Sequence, residues 1–295
     1  MRVSEAALLL SGYLCFGNIA LADNAELHSA WAAASKAAIL GPVEIKLLDQ
    51  AKLQLPADEA FIPAKEADAV LQASGNGTDS STYGLILSRN PQAHWDIIVR
   101  WVKEGYVRDG DAKDWQPDAL LQSLRSGNDQ TNLDRAKRGL PEFDIIGWIA
   151  PPIYDNKTHR LVWSLSGRDR DDPANEPQTI NYNTYALGRE GYFSLNLVTG
   201  SDTIDTDKSA VRQLLGTLTY DQGKRYEDFD QSTDKVAAYG LAALIGVVAV
   251  KKLGLLAVAS LFLLKIWKVG LLALAGIASM AKRMFNRQGR PRGPS

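Results

Sequence analysis

Between residues 23 and 234 the spacing of apolar and polar positions changes repeatedly, and each change predicts an element. Ala25 to Ile39 is an alanine-rich run that Asn24 can cap and that Gly41-Pro42 ends, which predicts a helix. The stretch VEIKLLDQAKLQLP, Val43 to Pro56, alternates apolar and polar in two short runs, the period of half-buried strands. Lys65 to Ala73 predicts a short helix and Gly75 to Ser81 a polar loop. Strands are predicted at Tyr83–Ser88 and Trp95–Val102, the second leading to Gly105-Tyr106-Val107. Pro117 suits the first turn of a helix with Leu120, Leu121 and Leu124 on one face, and a second helical stretch runs from Asn128 to Lys137 before Gly139.

Four strand candidates follow: Phe143–Ala150, Arg160–Gly167, Thr179–Leu187 and Gly191–Thr199. Short turns of Pro, Gly, Asn or Asp separate them, which favours an antiparallel meander. Lys208 to Leu218 closes the region as an amphipathic helix. The predicted class is α+β: an antiparallel sheet with helices packed on one face, followed by C-terminal membrane helices.

Both ends are apolar in a different manner. Ala6 to Ala22 follows Arg2, and Ala20-Leu21-Ala22 has small residues at the spacing a signal peptidase accepts, so a signal peptide over 1–22 is predicted. Glu5 and Asn18 depart from that pattern, and an uncleaved N-terminal anchor is the alternative. At the other end, Val236–Val250, Leu253–Leu264 and Val269–Ala281 are apolar but broken by Lys251-Lys252 and by Lys265-Ile266-Trp267-Lys268. A crossing helix needs about 20 apolar residues, and a lysine at the bilayer centre costs roughly 2.5–3.5 kcal/mol.

The arrangement of lowest cost is one crossing that begins near Val236, with Tyr239 in the outer aromatic belt and Lys251 and Lys252 at the inner interface. Lys265, Trp267 and Lys268 then lie along the inner leaflet facing anionic headgroups. A two-helix hairpin is the alternative. The resulting division is a signal peptide at 1–22, an exported domain at 23–234, a membrane anchor at 235–285 and a basic cytoplasmic tail at 286–295.

Charge sharpens this division. Residues 235–295 hold ten Lys or Arg and no Asp or Glu, whereas residues 23–234 hold 33 acidic against 22 basic side chains, a balance of −11. The overall charge of −1 hides this split. The asymmetry predicts that the basic end stays in the cytoplasm and that the main domain is exported, to the periplasmic side. A domain at −11 does not suit nucleic acid. Cys15, the single cysteine, falls in the predicted signal, so the exported part has no thiol for disulfides, thiolate catalysis or zinc.

Candidate chemistry is sparse. His28, His94 and His159 have no metal-binding spacing; His28 reads as a surface residue and His159 as packed in the turn entering a strand. The acidic clusters Asp109/Asp111/Asp114, Asp169/Asp171/Asp172 with Glu176, and Asp202/Asp205/Asp207 lack a complete calcium loop and read as solvated turns. Nucleophile elbows, phosphate loops and dinucleotide fingerprints are absent. Trp148 and Trp163 lie on adjacent predicted strands and are placed to stack across the sheet. No catalytic, cofactor-binding or metal-binding residue and no cofactor is assigned.

The blocks Gly105-Tyr106-Val107, Asn132 with Arg135, Gly147-Trp148, Pro152 with Tyr154 and His159-Arg160-Leu161-Val162-Trp163 occur in order. They continue through Asn181-Tyr182-Asn183-Thr184, Leu187-Gly188-Arg189-Glu190-Gly191-Tyr192, Leu195-Asn196-Leu197-Val198, the run Gly223 to Phe229, and Asp234 to Leu241. From about Gly41 to about Phe285 the chain resembles an uncharacterised family of bacterial membrane-anchored proteins carried as a domain of unknown function. The resemblance implies a signal peptide, an exported domain and a C-terminal anchor, and brings no catalytic residues. Two stretches stand out as partner-contact candidates, the turn Gly188–Gly191 and the junction Asp234–Leu241.

The function expected from these readings is a membrane-anchored envelope protein of unknown activity, acting as a non-enzymatic protein-interaction module. Its expected partners are the anionic inner leaflet and another envelope protein. Two alternatives stay open: a lipid or small-molecule binding domain at the membrane, and a hydrolase using His159 with a carboxylate.

Overall fold

The computed structural model describes residues 24–245 apart from 75, 77, 78, 91, 138 and 140. The predicted signal peptide, Cys15 and everything from residue 246 onward lie outside the described residues. The chain runs through α1 (Asn24–Ala37), β1 (Ile39–Leu40), β2 (Val43–Leu47), β3 (Ala51–Leu55), β4 (Glu59–Pro63) and α2 (Ala64–Ala73). β5 (Thr82–Ser88), β6 (Asp96–Val102), β7 (Tyr106–Arg108) and α3 (Pro117–Lys137) follow. The meander is β8 (Phe143–Asp155), β9 (Arg160–Asp169), β10 (Thr179–Leu187) and β11 (Tyr192–Gly200). α4 (Ile204–Thr217), β12 (Thr219–Tyr220), β13 (Val236–Gly240) and a short 3-10 turn (Leu241–Ile245) complete it.

Among the described residues the largest sheet has eight strands in the order β1-β4-β5-β6-β11-β10-β9-β8, each pair antiparallel. The expected α+β class and the meander both hold. β4 went unpredicted: five residues with Pro63 at their end are too short and too uniformly buried to display a period. The helix over 117–137 is continuous where the sequence suggested two stretches. Gly127 sits at an open surface position, where it weakens a helix by about 1 kcal/mol without breaking it.

Helices cover both faces of the sheet rather than one. The central strands carry apolar side chains at successive positions, not alternate ones, so each face needs a cover. On one face Ile86, Ile97, Val99, Phe193, Leu195 and Leu197 pack beneath the β2–β3 hairpin and α4. The hairpin contributes Leu47, Leu53 and Leu55, and α4 contributes Val211, Leu214 and Leu215. On the opposite face Leu85, Leu87, Ile98 and Val198 pack beneath α1 and α2. Farther along that face, Leu161, Trp163 and Leu165 of β9 form a separate cluster with α3 and the C-terminal turn.

The end of the folded unit differs from the expected boundary at Asp234. Val236–Gly240 pairs as a parallel strand with β7, and Leu241, Leu244 and Ile245 are buried in the α3 cluster. Arg189 grips Asp234 through two hydrogen bonds, at 2.7 and 2.8 Å. The Asp111 carboxylate accepts the backbone N–H groups of Leu241 and Ala242, each at 3.0 Å. Gly105 makes the close approach possible: its φ is +96°, and a Cβ there would lie 2.4 Å from the Lys235 carbonyl oxygen. Tyr239, expected in an outer membrane belt, is therefore a strand residue packed on the α3 cluster. Burial in a domain and burial in a bilayer select the same composition, so the apolar run from Val236 did not reveal where one ends. Lys251, Lys252, Lys265, Trp267 and Lys268 lie outside the described residues. Among the described residues no helix is long and apolar enough to cross a membrane.

A chain truncated after Asp234 should be less stable than one truncated after Ile245 by at least about 4 kcal/mol, because three large apolar side chains leave the core. Urea unfolding of the two chains checks this, and equal midpoints would remove the C-terminal strand from the fold's energetics.

Two carboxylates are buried in the sheet. Burial, with neighbouring Asp58, pushes the Glu59 carboxyl up to about 8, and burial pushes Asp96 up to about 7 against the opposing pull of Arg100. One oxygen of each has no hydrogen-bond partner. Both groups hold their proton more tightly folded than unfolded. Their contribution to stability is complete below about pH 4 and is lost as pH rises through about 7 to 8. The double substitution Glu59→Gln with Asp96→Asn should flatten the fall in stability between pH 5 and 9, measured as urea midpoints against pH; an unchanged slope would contradict this assignment.

Candidate functional site

Helix α3 is fastened to edge strand β8 by its own side chains. Asn132 makes a reciprocal pair with the Phe143 backbone, donating to its carbonyl and accepting its N–H, both at 2.8 Å. Asn128 donates to the same carbonyl at 2.5 Å. Arg125 donates to the carbonyls of Ile145, at 3.2 Å, and Ile146. Arg135 reaches the Pro141 carbonyl at 2.5 Å and the Asp169 carboxylate at 3.0 Å. These bonds take up backbone groups that an edge strand would otherwise offer to another chain. The Phe143 ring lies against Gly167, where a Cβ would lie 2.3 Å from it.

A cleft of about 220 Å³ opens between α3 and the sheet. Its walls include Asn128, Phe143, Ile145, Trp163, Asn181 and Asn183, and among the described residues no charged side chain lines it. The two β10 asparagines project from alternate positions of one face, and Asn183 stands directly across from Asn196 of β11. Their mutual bonds are long: Asn183 Nδ2 donates to the Asn181 carbonyl, and Asn196 Nδ2 to Asn181 Oδ1, both at 3.4 Å. Asn196 Oδ1 is buried without a partner; the buried Trp163 indole N–H makes only a weak contact with the Tyr185 hydroxyl. Beside this strip Arg100 pairs with Asp79 at 2.7 Å. Burial opposes the ionisation of Asp79, but two bonds from Ser81 and the Arg100 charge hold its carboxyl below the usual range.

The residues singled out from sequence fall elsewhere. His28 and His94 are exposed. His159, at φ +52°, stacks on Tyr226 at 4.2 Å, and its Nδ1 lies 3.1 Å from the Tyr154 hydroxyl. Tyr154 in turn donates to Asp109 at 2.9 Å, and burial and that carboxylate both raise its pKa. The stack continues through Tyr106 to Phe229, at 4.3 and 3.9 Å. His159 thus reaches a carboxylate only through a phenol, within a packed aromatic column, which disfavours the hydrolase alternative.

The acidic clusters are divided among separate partners: Asp109 serves Tyr154, Asp111 the C-terminal turn, Asp169 Arg135, Asp205 Lys208, and buried Asp207 the Thr199 hydroxyl. Among the described residues no group of three or more His, Cys, Asp or Glu is placed to hold a metal ion. Trp148 and Trp163 do meet, edge to face at 6.0 Å. The turn at Arg189 and the junction at Asp234, each a partner-contact candidate, are bonded to each other. Glu190 of the same turn is tied to Lys224 at 2.5 Å.

Sequence reasoning missed the cleft itself. The readable signal was Asn181-x-Asn183 inside a strand: asparagine disfavours strands, and alternate placement puts both amides on one face.

The fold and cleft define an α+β domain with two-sided helical cover and a neutral, amide-lined site beside a capped edge strand. The chain belongs to the family described as protein of unknown function (DUF2167), which it matches over residues 39–275. A search of curated proteins finds no match. Among solved structures, the solution structure of cyanobacterial PsbP (CyanoP) from Synechocystis sp. PCC 6803 is similar, with 10% identity and a TM-score of 0.38. The similarity covers 61% of this chain and 92% of that one, and is too distant to carry function.

Replacing Asn132 with Ala orphans the Phe143 N–H and should lower stability by about 1–3 kcal/mol. Asn132→Asp keeps an acceptor for that N–H but sets a carboxylate oxygen against the Phe143 carbonyl, so it should also lose stability. Amide hydrogen exchange at Phe143 checks the mechanism: protection should fall in the Ala variant and persist in part in the Asp variant.

Proposed function

We propose that this protein is a membrane-tethered bacterial envelope protein whose exported domain binds another envelope protein without performing catalysis. The observation that carries the reading is three exposed isoleucines on edge strand β8, Ile146, Ile149 and Ile153, at 37%, 48% and 66%. Large aliphatic side chains grouped on one edge mark an interaction surface.

The chemistry of the edge also describes its partner. The bonds from α3 occupy backbone groups of 143–146, and Pro151 and Pro152 carry no N–H. A partner strand cannot extend the ladder there, so the partner presents an apolar side-chain surface. The tether rests on the basic, acid-free segment beyond the folded unit, and the family match extends into that segment as far as residue 275. Within this reading the anionic inner leaflet holds the segment, and the domain lies on the periplasmic side.

A photo-crosslinking side chain placed at Ile149 or Ile153 in living cells should yield one discrete heterologous adduct. The same probe at exposed Leu48, on the β2–β3 hairpin, should not, and Ile153→Asp should abolish the Ile149 adduct. Adducts at all three positions, none at any, or a product of twice the chain's mass would overturn the reading. Protease accessibility in spheroplasts, with tags after Asp23 and at Ser295, tests location: the front tag should be lost and the rear tag protected.

A further inference from the structure

We propose that the cleft under α3 is a binding site for a single uncharged sugar ring bearing an acetamido group. This goes beyond the edge-strand reading and stands on different residues. Three features of the cleft select the ligand class.

The first is charge. The side chains on its walls are amides, aromatic rings and aliphatic groups, and the nearby ions are already spent on each other in the Arg135–Asp169 and Arg100–Asp79 pairs. An ionised ligand would give up its hydration for no counter-charge.

The second is unsatisfied polarity. Each asparagine amide offers two donors and an acceptor oxygen, yet Asn181 and Asn183, which line the cleft, make contacts of only 3.4 Å, and Asn196 Oδ1 on the neighbouring strand, outside the lining, is buried with no partner. Two asparagines in the lining, on a central strand of the sheet, cost strand propensity and desolvation, and contacts of 3.4 Å return little of it. A ligand with hydroxyls and an amide, donor and acceptor at once, matches them. Charged or purely apolar ligands do not.

The third is shape. Trp163 and Phe143 present flat apolar surface, and Ile145 and Leu165 lie alongside where an acetyl methyl fits. A volume of about 220 Å³ is below the roughly 300–1,000 Å³ that drug-sized ligands fill, and suits one ring. It is too small for a lipid chain with its headgroup.

The test is calorimetric titration of the full-length chain, in a detergent without a sugar headgroup, using N-acetylglucosamine and its β-1,4-linked trimer. Glucosamine, which is cationic, and glucose, which lacks the acetamido group, are the controls. Saturable binding of the two N-acetylated probes is expected, with glucose weaker by about tenfold, the worth of one good neutral hydrogen bond. Asn181→Thr and Asn183→Thr place a better strand former at each amide; each should weaken binding by about tenfold or more while leaving thermal stability equal or higher. No binding of either N-acetylated probe, equal binding of glucosamine, or affinity unchanged in both variants would overturn the proposal. So would a loss of stability in both variants, which would make the amides structural. None of these outcomes bears on crosslinking at β8, so the two readings fail separately.

Discussion

Strands β5, β6 and β11 carry apolar side chains on both faces, and neither face can be left to water. At about 1.5–3 kcal/mol for each large side chain buried, two covers are required, and the chain builds them from different materials. One is the β2–β3 hairpin with α4, continuous across the sheet. The other is split, with α1 and α2 over one end and α3 over the other. The site arises from that split. Where the second cover divides, the sheet displays asparagine and serine in place of leucine, and the cleft lies at the margin of α3.

The position of α3 depends on polar bonds more than on its apolar face. Its exposed length is rich in charged and amide residues, and a helix of that composition gains little by burial alone. Asn132, Asn128, Arg125 and Arg135 bond it to the backbone of β8 and of the loop before it, and in doing so cap the sheet's edge. The same contacts set the Phe143 ring over Gly167 and define one wall of the cleft. Edge protection and site formation are one arrangement, and Asn132 and Arg135 serve both.

Much of the architecture was legible from periodicity. The β2–β3 hairpin alternates cleanly because one of its faces meets water, and the four meander strands are separated by turn residues that leave few other readings. β4 was not legible, since a strand buried on both sides has no period. The second helical cover was missed for the same reason: Leu85-Ile86-Leu87 and Ile97-Ile98-Val99 are continuous apolar runs, which signal burial without saying by what.

The sequence by itself determined the α+β class, the meander, the charge division between domain and C-terminal segment, and membership of a family with no assigned activity. Those are properties of local pattern and composition, which neighbouring residues settle among themselves. Only the tertiary structure decided that Val236–Ile245 belongs to the domain, that Arg189 and Asp234 spend their charges on each other, and that Asn128, Trp163, Asn181 and Asn183 line one cleft. Each of these joins residues tens of positions apart. No local preference encodes such a meeting, because it depends on which strands pair and on which face each helix comes to rest.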